Sequence, residues 1–373
     1  MSQAKRIVIK IGSSTLTDAE GRVDAAYIDT LAAQVEELRT RGSEVVIVTS
    51  AAISAGLQSL GMSSERPKNI PVLQAAAAVG QLELAKAYVQ TFERRGFKVG
   101  QILLTRLEIE NRTTYLYARD TIEKLLELGV IPLINENDTV AIDEIRFGDN
   151  DTLAAQVSIL IKADLTILLS DIQGFYGADP RIDEDAQMIE TIGVFTKELL
   201  KAAGEAGSLR GSGGMVTKIE AARMLMAAGI PMVICEGRKP GAVIDAAEGK
   251  QVGTRFANEK QGHSVAARKL WLALSGSVKG SISVDDGAVK ALREQGSSLL
   301  SVGVATVEGT FESGQAVDIR AMDGFLIGRG LCQYSSDELR LAAGLKSSQI
   351  AQNKLLSHLA NSEVIHRDQM VVF

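Results

Sequence analysis

The chain has 373 residues and a formal net charge of -6, with 46% hydrophobic and 23% charged residues. Single cores rarely grow past roughly 250–300 residues, so this length predicts more than one domain, and the acidic balance argues against a general binder of nucleic acid or membrane surfaces. Cys235 and Cys332 lie far apart, form neither a disulfide framework nor a metal-ligand spacing, and fit a reducing cytoplasm.

At the N-terminus, Lys10 interrupts the apolar run that begins at Ile7, which leaves it too short for a signal peptide. The strand candidates in chain order are Arg6–Ile11, Glu44–Thr49, Lys98–Leu104, Val130–Ile134, Leu165–Leu169 and Pro231–Cys235. Amphipathic stretches such as Asp24–Arg39 and Thr114–Leu128 lie between them and predict helices. Continuous apolar strands alternating with helices predict a mostly parallel sheet sandwiched by helices, an α/β domain over residues 1–257. The longest hydrophobic zone, Leu153–Leu169, is broken by Lys162 and Asp164 and does not predict a membrane span. Cys235, inside the run PMVIC, is read as a buried small hydrophobe.

Around Gly253 the texture changes. Residues 258–278 are assigned as a linker, with a helix-like piece near Ala266–Leu274. Beyond Gly280, the runs SISVDDGA, GVATVEGTFESGQAVDI and FLIGRG are short, β-like and closely punctuated by turns. They predict a small β-rich barrel over residues 279–373.

The polar clusters fall at the carboxyl ends of the strands, where open α/β sheets bind ligands. Lys10-Ile11-Gly12-Ser13-Ser14 offers a lysine and an approachable backbone to an anion, although a strand-end lysine held in an ion pair has the same sequence. Val48-Thr49-Ser50-Ala51-Ala52 would let a ligand near the start of the next helix, or would serve tight helix–sheet packing. Ile134-Asn135-Glu136-Asn137-Asp138 could bind an amino group or cap a turn, and Gly148-Asp149-Asn150-Asp151 could organise phosphoryl transfer or cap the helix starting near Thr152. Ser170-Asp171 ends a strand. Gly211–Lys218 is a glycine-rich loop ahead of the helix Ile219–Ala228, a phosphate cradle by geometry but not a Walker A sequence. His366-Arg367-Asp368 mimics a protein-kinase catalytic loop without the residues that should follow it and is read as structural. Together the clusters predict a nucleotide-dependent kinase.

The segments VIKIGSS, VTSAAISAG, LLTR, ARDT, IPLINENDTV, GDNDTLAAQV, LLSDIQGFYGADPR and GSGGMVTK closely resemble the glutamate 5-kinase branch of the amino-acid kinase family. DDGA, GSSLL, YSSDEL and EVIHRDQMV are similar to the PUA module that bacterial members carry. The resemblance covers nearly the whole chain and implies an amino-acid kinase fold followed by a PUA-like barrel. It implies ATP-dependent phosphorylation of the γ-carboxylate of L-glutamate to L-glutamyl 5-phosphate, the first step of proline biosynthesis, in the cytoplasm. By this match Lys10, Asp151 and Lys218 are catalytic, Asp151 orienting the two lysines. Ser50, Asp138 and Asn150 would hold glutamate. Lys10, Ser170, Asp171, Ser212, Gly213, Gly214, Met215, Val216, Thr217 and Lys218 would hold ATP, with Mg2+ carried on its phosphates rather than by the protein. L-proline is implied as feedback inhibitor, with Glu144 taking part, a glutamyl phosphate reductase as partner, and a homodimer or homotetramer as the assembly.

Elementary chemistry agrees, because a carboxylate is ionised at neutral pH and phosphoryl transfer chiefly needs positioning and charge stabilisation. One departure stands out: the family usually has glycine where this chain has Ala51, and alanine there fits only a negative φ without strain. Two alternatives remain from the sequence. One is another kinase of the family, acting on acetylglutamate, aspartate or a nucleotide. The other is an RNA-binding regulator acting through the tail, whose nine Lys or Arg against eleven Asp or Glu make a poor footprint for RNA.

Overall fold

Arg6–Ile11 forms β1, the strand around which the first unit is organised. The structure is a computed structural model that describes residues 4–62, 67–141, 150–177, 185–196, 199, 214–257 and 278–373. Its chain divides into two units, Met1–Gln261 and Gly262–Phe373.

In the first unit β1 joins β2 (Glu44–Val48), β3 (Val99–Leu104), β4 (Ile131–Glu136), β5 (Leu165–Ser170), β6 (Thr191–Ile192), β7 (Met232–Glu236) and β8 (Gly253–Phe256). The sheet order is β3-β4-β2-β1-β5-β7-β8-β6. All pairings are parallel except β7 with β8. The chain leaves β1 toward β2 on one side and later returns to β5 on the other. That reversal makes the carboxyl end of β1 a topological switch point, where such sheets open a crevice.

Alternation along β1 decides what enters that crevice. Ile7, Ile9 and Ile11 point to one face and pack with residues of the helices Ala25–Thr40, Ile70–Glu93 and Ala242–Ala247. Each such fully buried aliphatic side chain contributes about 1.5–3 kcal/mol. Period two places Lys10 with Val8 on the opposite face, which the helix Asn150–Leu160 covers. That helix is buried along its length and presents Ala154, Ala155 and Ser158 for close packing. Ser158 Oγ donates to the Ala154 carbonyl at 2.7 Å and accepts from Thr166 Oγ1 at 2.8 Å.

The predicted strands are present, Arg6–Ile11 with the expected bounds and the others with ends shifted by at most two residues. β4 continues through Asn135 and Glu136, so these two polar residues belong to a strand rather than to the loop after it. The helix expected from Ile219 begins at Met215, and Met215–Lys218 form its first turn. β8 belongs to the first sheet, although Gly253 looks like the start of a different texture. Its four residues, GTRF, are too few and too polar to show a pattern. The helix-like piece near Ala266–Leu274 lies outside the described residues.

The second unit holds β9 (Gly280–Val284), β10 (Val304–Gly309), β11 (Ala316–Ala321), β12 (Leu326–Leu331) and β13 (Met370–Val372) in the order β10-β9-β11-β12-β13. Its own core includes Ile282, Phe311, Val317, Ile319, Tyr334 and Ile365. The run SISVDDGA is only half strand, because Asp285 caps the helix Asp286–Gln295 by accepting from Ala288 N at 2.7 Å. Acceptance of an orphan amide by an N-cap aspartate is what ends the strand there. His366 Nδ1 likewise accepts from Asp368 N at 3.1 Å, so this histidine caps a turn. Among the described residues no helix is long and apolar enough to cross a membrane.

Candidate active site

Three charged groups meet under the switch point. Lys10 Nζ lies 2.6 Å from Asp151 Oδ1, and Lys218 Nζ lies 3.0 Å from Asp151 Oδ2. Lys10 is 2% exposed, Asp151 0% and Lys218 6%. Each comes from a different element: Lys10 from β1, Asp151 from the first turn of the helix Asn150–Leu160, Lys218 from the first turn of the helix Met215–Ala227. The two helices pack on each other, which brings their starts together. An acid in a first helical turn also faces the positive end of the helix dipole. Thr217 Oγ1 is 3.1 Å from Asp151 Oδ2 and 2.8 Å from the Gly214 carbonyl, which ties the start of its helix to the same carboxylate.

Two ammonium groups share one buried carboxylate. Burying a charge is costly unless it is paired and hydrogen-bonded. Lysine ammonium groups held in this way suit phosphoryl oxygens. Among the described residues no group of three or more His, Cys, Asp or Glu stands together as a metal cage.

Beside the trio runs a line of buried amides. Asn150 Nδ2 donates to the Thr49 carbonyl at 2.5 Å and to Asn135 Oδ1 at 2.6 Å, with Ser50 Oγ at 3.4 Å. Asn135 Nδ2 donates to Gln81 Oε1 at 3.1 Å, and Gln81 Nε2 donates to the Glu136 carbonyl at 2.9 Å. Thr49 Oγ1 donates to Tyr88 OH at 3.1 Å, and burial pushes the Tyr88 phenol well above its ordinary range. The line thus joins the ends of β2 and β4 to the long helix Ile70–Glu93.

Ser50 enters the site through an unusual turn. Ala51 sits at φ 74°, ψ 13°, immediately ahead of the helix Ala52–Ser59. This is the left-handed region rather than the negative φ at which alanine sits without strain, and it costs an L-residue roughly 1–2 kcal/mol. The turn is held because the helix Ala52–Ser59 lies backbone-to-backbone on the helix Ile70–Glu93, at Gly56 and Gly80.

The remaining candidates lie along the same edge of the sheet. Ser170, buried at the end of β5, donates its hydroxyl to Asp171 Oδ1 at 3.1 Å. Asp138 is half-buried in the turn that follows β4. Gly214 caps the helix carrying Met215, Val216, Thr217 and Lys218, and Val216 is exposed. Ser212, Gly213, Glu144, Gly148 and Asp149 lie outside the described residues. Gln81 and Tyr88 carry no sequence signal, because each is one polar residue within a long alanine-rich helix. Asn135 belongs to a cluster that sequence marks, but its inward direction follows from the length of β4.

Comparison with known proteins gives two family matches. Residues 5–236 match the amino acid kinase family, and residues 280–353 match the PUA domain. A protein of Geobacter sulfurreducens named glutamate 5-kinase is 46% identical over 372 residues, 100% of this chain and 98% of that one. A glutamate 5-kinase of Geobacter metallireducens is also 46% identical, with the same coverage. One from Caldanaerobacter subterraneus is 44% identical over 367 residues, 98% of this chain and 97% of that one.

Proposed function

The chain belongs to the amino acid kinase family, and we propose that it phosphorylates the side-chain carboxylate of L-glutamate, with ATP as donor and L-glutamyl 5-phosphate and ADP as products. The observation that carries this reading is the buried Lys10–Asp151–Lys218 trio, in which one carboxylate holds two ammonium groups. The relatives named glutamate 5-kinase, matched along nearly their full length, support the choice of substrate.

ATP supplies the phosphoryl group. Lys10 and Lys218 hold positive charge where negative charge gathers as that group changes hands, from two sides of one carboxylate. A preorganised contact of this kind is worth about 3 kcal/mol of barrier. Asp151 fixes both ammonium groups in place. Ser170, Asp171 and residues 212–218 are the nucleotide contacts, and Ser50, Asp138 and Asn150 the glutamate contacts. The accepting carboxylate is already ionised, so no side chain is asked to remove a proton. Mg2+ would be held through nucleotide phosphates.

Further parts of the reading rest on the sequence resemblance. They are a kinase domain over residues 1–257, a linker over 258–278, a PUA-like domain over 279–373, a cytoplasmic setting and a homodimeric or homotetrameric assembly. They also include feedback by L-proline through the region of Glu144, and delivery of the labile product to a glutamyl phosphate reductase. The division into two units supports the domain assignment.

The test is a trapping assay with purified protein, Mg-ATP, L-glutamate and hydroxylamine. Hydroxylamine captures an acyl phosphate as γ-glutamyl hydroxamate. Glutamate-dependent hydroxamate formed together with ADP is the expected result. A folded, ATP-binding protein that yields none would overturn the assignment.

A further inference from the structure

Gln81, Asn135 and Asn150 form a relay of three buried amides that ends at the candidate substrate site. An amide can be turned end over end with almost no change of shape, so its direction must come from its partners. A main-chain carbonyl can only accept. The Glu136 carbonyl, 2.9 Å from Gln81, therefore requires the NH2 of Gln81 and turns Gln81 Oε1 toward Asn135. Asn135 must then present its NH2 to that oxygen, at 3.1 Å, and its own Oδ1 to Asn150. Asn150 answers with its NH2 at 2.6 Å. At the far end the Thr49 carbonyl, 2.5 Å from Asn150, makes the same demand independently. Both ends of the relay agree. Reversing any one amide would set two donors or two acceptors face to face in a buried place, which proteins avoid.

We propose that Gln81 is a positioning residue that, together with the Thr49 carbonyl, fixes the hydrogen-bonding polarity of Asn150. With Nδ2 committed to the protein, Oδ1 is the group that Asn150 offers a ligand. The site thereby selects a molecule that brings an N–H donor next to its carboxylate, as the ammonium of an amino acid does, over a dicarboxylate of the same length without one. Gln81 reaches this influence from the helix Ile70–Glu93 and acts only through Asn135. The inference rests on the reading that Asn150 contacts the amino-acid substrate.

The experiment compares wild type, Gln81→Met and Gln81→Glu, with L-glutamate and with glutarate, which lacks the ammonium. In Gln81→Met the Glu136 carbonyl and the Asn135 NH2 lose the bonds that Gln81 makes to them. The expected result is a rise of about tenfold in KM for glutamate, an unchanged KM for ATP and a reduced preference for glutamate over glutarate. Gln81→Glu supplies a test that simple loss of structure would not pass. The introduced carboxyl can serve both partners only when protonated, so its KM for glutamate should fall as pH is lowered from 8 to about 6, with no such trend in wild type. A folded Gln81→Met with unchanged glutamate KM and unchanged discrimination overturns the proposal. Should Gln81→Met fail to fold, a pH-independent KM in Gln81→Glu overturns it. A wild type that does not phosphorylate glutamate overturns the functional reading itself, and the two failures are told apart by which protein shows them.

Discussion

Gly80 lies so close to Ala52 that a Cβ on Gly80 would stand 1.8 Å from the Ala52 carbonyl oxygen. A Cβ on Gly56 would stand 1.7 Å from the Ala76 carbonyl oxygen. The helices Ala52–Ser59 and Ile70–Glu93 therefore touch main chain to main chain. Gly80→Ala should destabilise the protein by about 3 kcal/mol or more, because the clash is with backbone that cannot rotate aside. Urea unfolding measures it. A variant with a wild-type midpoint would mean that the helices do not cross this closely.

The ion trio predicts an order among its variants. Removing either lysine leaves Asp151 paired with the other one. Removing the carboxylate takes an ion-pair partner from two buried ammonium groups at once. Asp151→Asn should therefore cost about 3–5 kcal/mol of stability, and Lys10→Met and Lys218→Met clearly less. All three should lower turnover by about a hundredfold or more. Denaturant unfolding run beside hydroxamate assays gives both quantities, and lysine variants with near-normal turnover would sink the assigned roles.

Ala51 carries backbone strain that glycine would not. Ala51→Gly should gain up to about 1 kcal/mol, the relief at φ 74° exceeding the added freedom of the unfolded chain. Ala51→Val should lose about 2 kcal/mol, since a β-branched residue fits the left-handed region worse. Thermal melts of the pair give the two signs. Destabilisation by glycine would show that the turn is not left-handed in solution.

The two thiols are set for silence. Burial pushes both Cys235 and Cys332 up to about 12. At pH 8 only about one thiol in ten thousand is ionised, and the thiolate is the reacting form. Neither should be alkylated by iodoacetamide in the native protein over hours, and both should react in denaturant. Rapid native labelling of either one, read by mass spectrometry, would contradict its burial.

Much of the central sheet was legible because its strands are continuous apolar runs, and Lys10 was legible because it interrupts one. β6 and β8 were not, since two and four residues leave no period to read. The polar clusters at strand ends marked the neighbourhood of the site, but the distances within it are not sequence properties. Gln81 shows why. On a helix, one polar residue among alanines looks like a solvated position, and only the crossing at Gly80 turns it inward. Ala51 shows the converse. A positive φ is announced by glycine, and alanine hints at it here only because the resembling family has glycine at the same place.

The trio joins a strand near the start of the chain to two helices that the ribosome delivers much later. Its members are neighbours only once the crossover from β4 back across β1 to β5 has been completed, and such distant contacts form slowly because a long loop must first be closed. Catalytic competence in this chain is thus a readout of finished topology. During refolding, secondary structure and apolar burial should recover first, and phosphoryl transfer should return with the last phase. A truncated chain that ends before the second helix would hold a carboxylate with only one of its two cations.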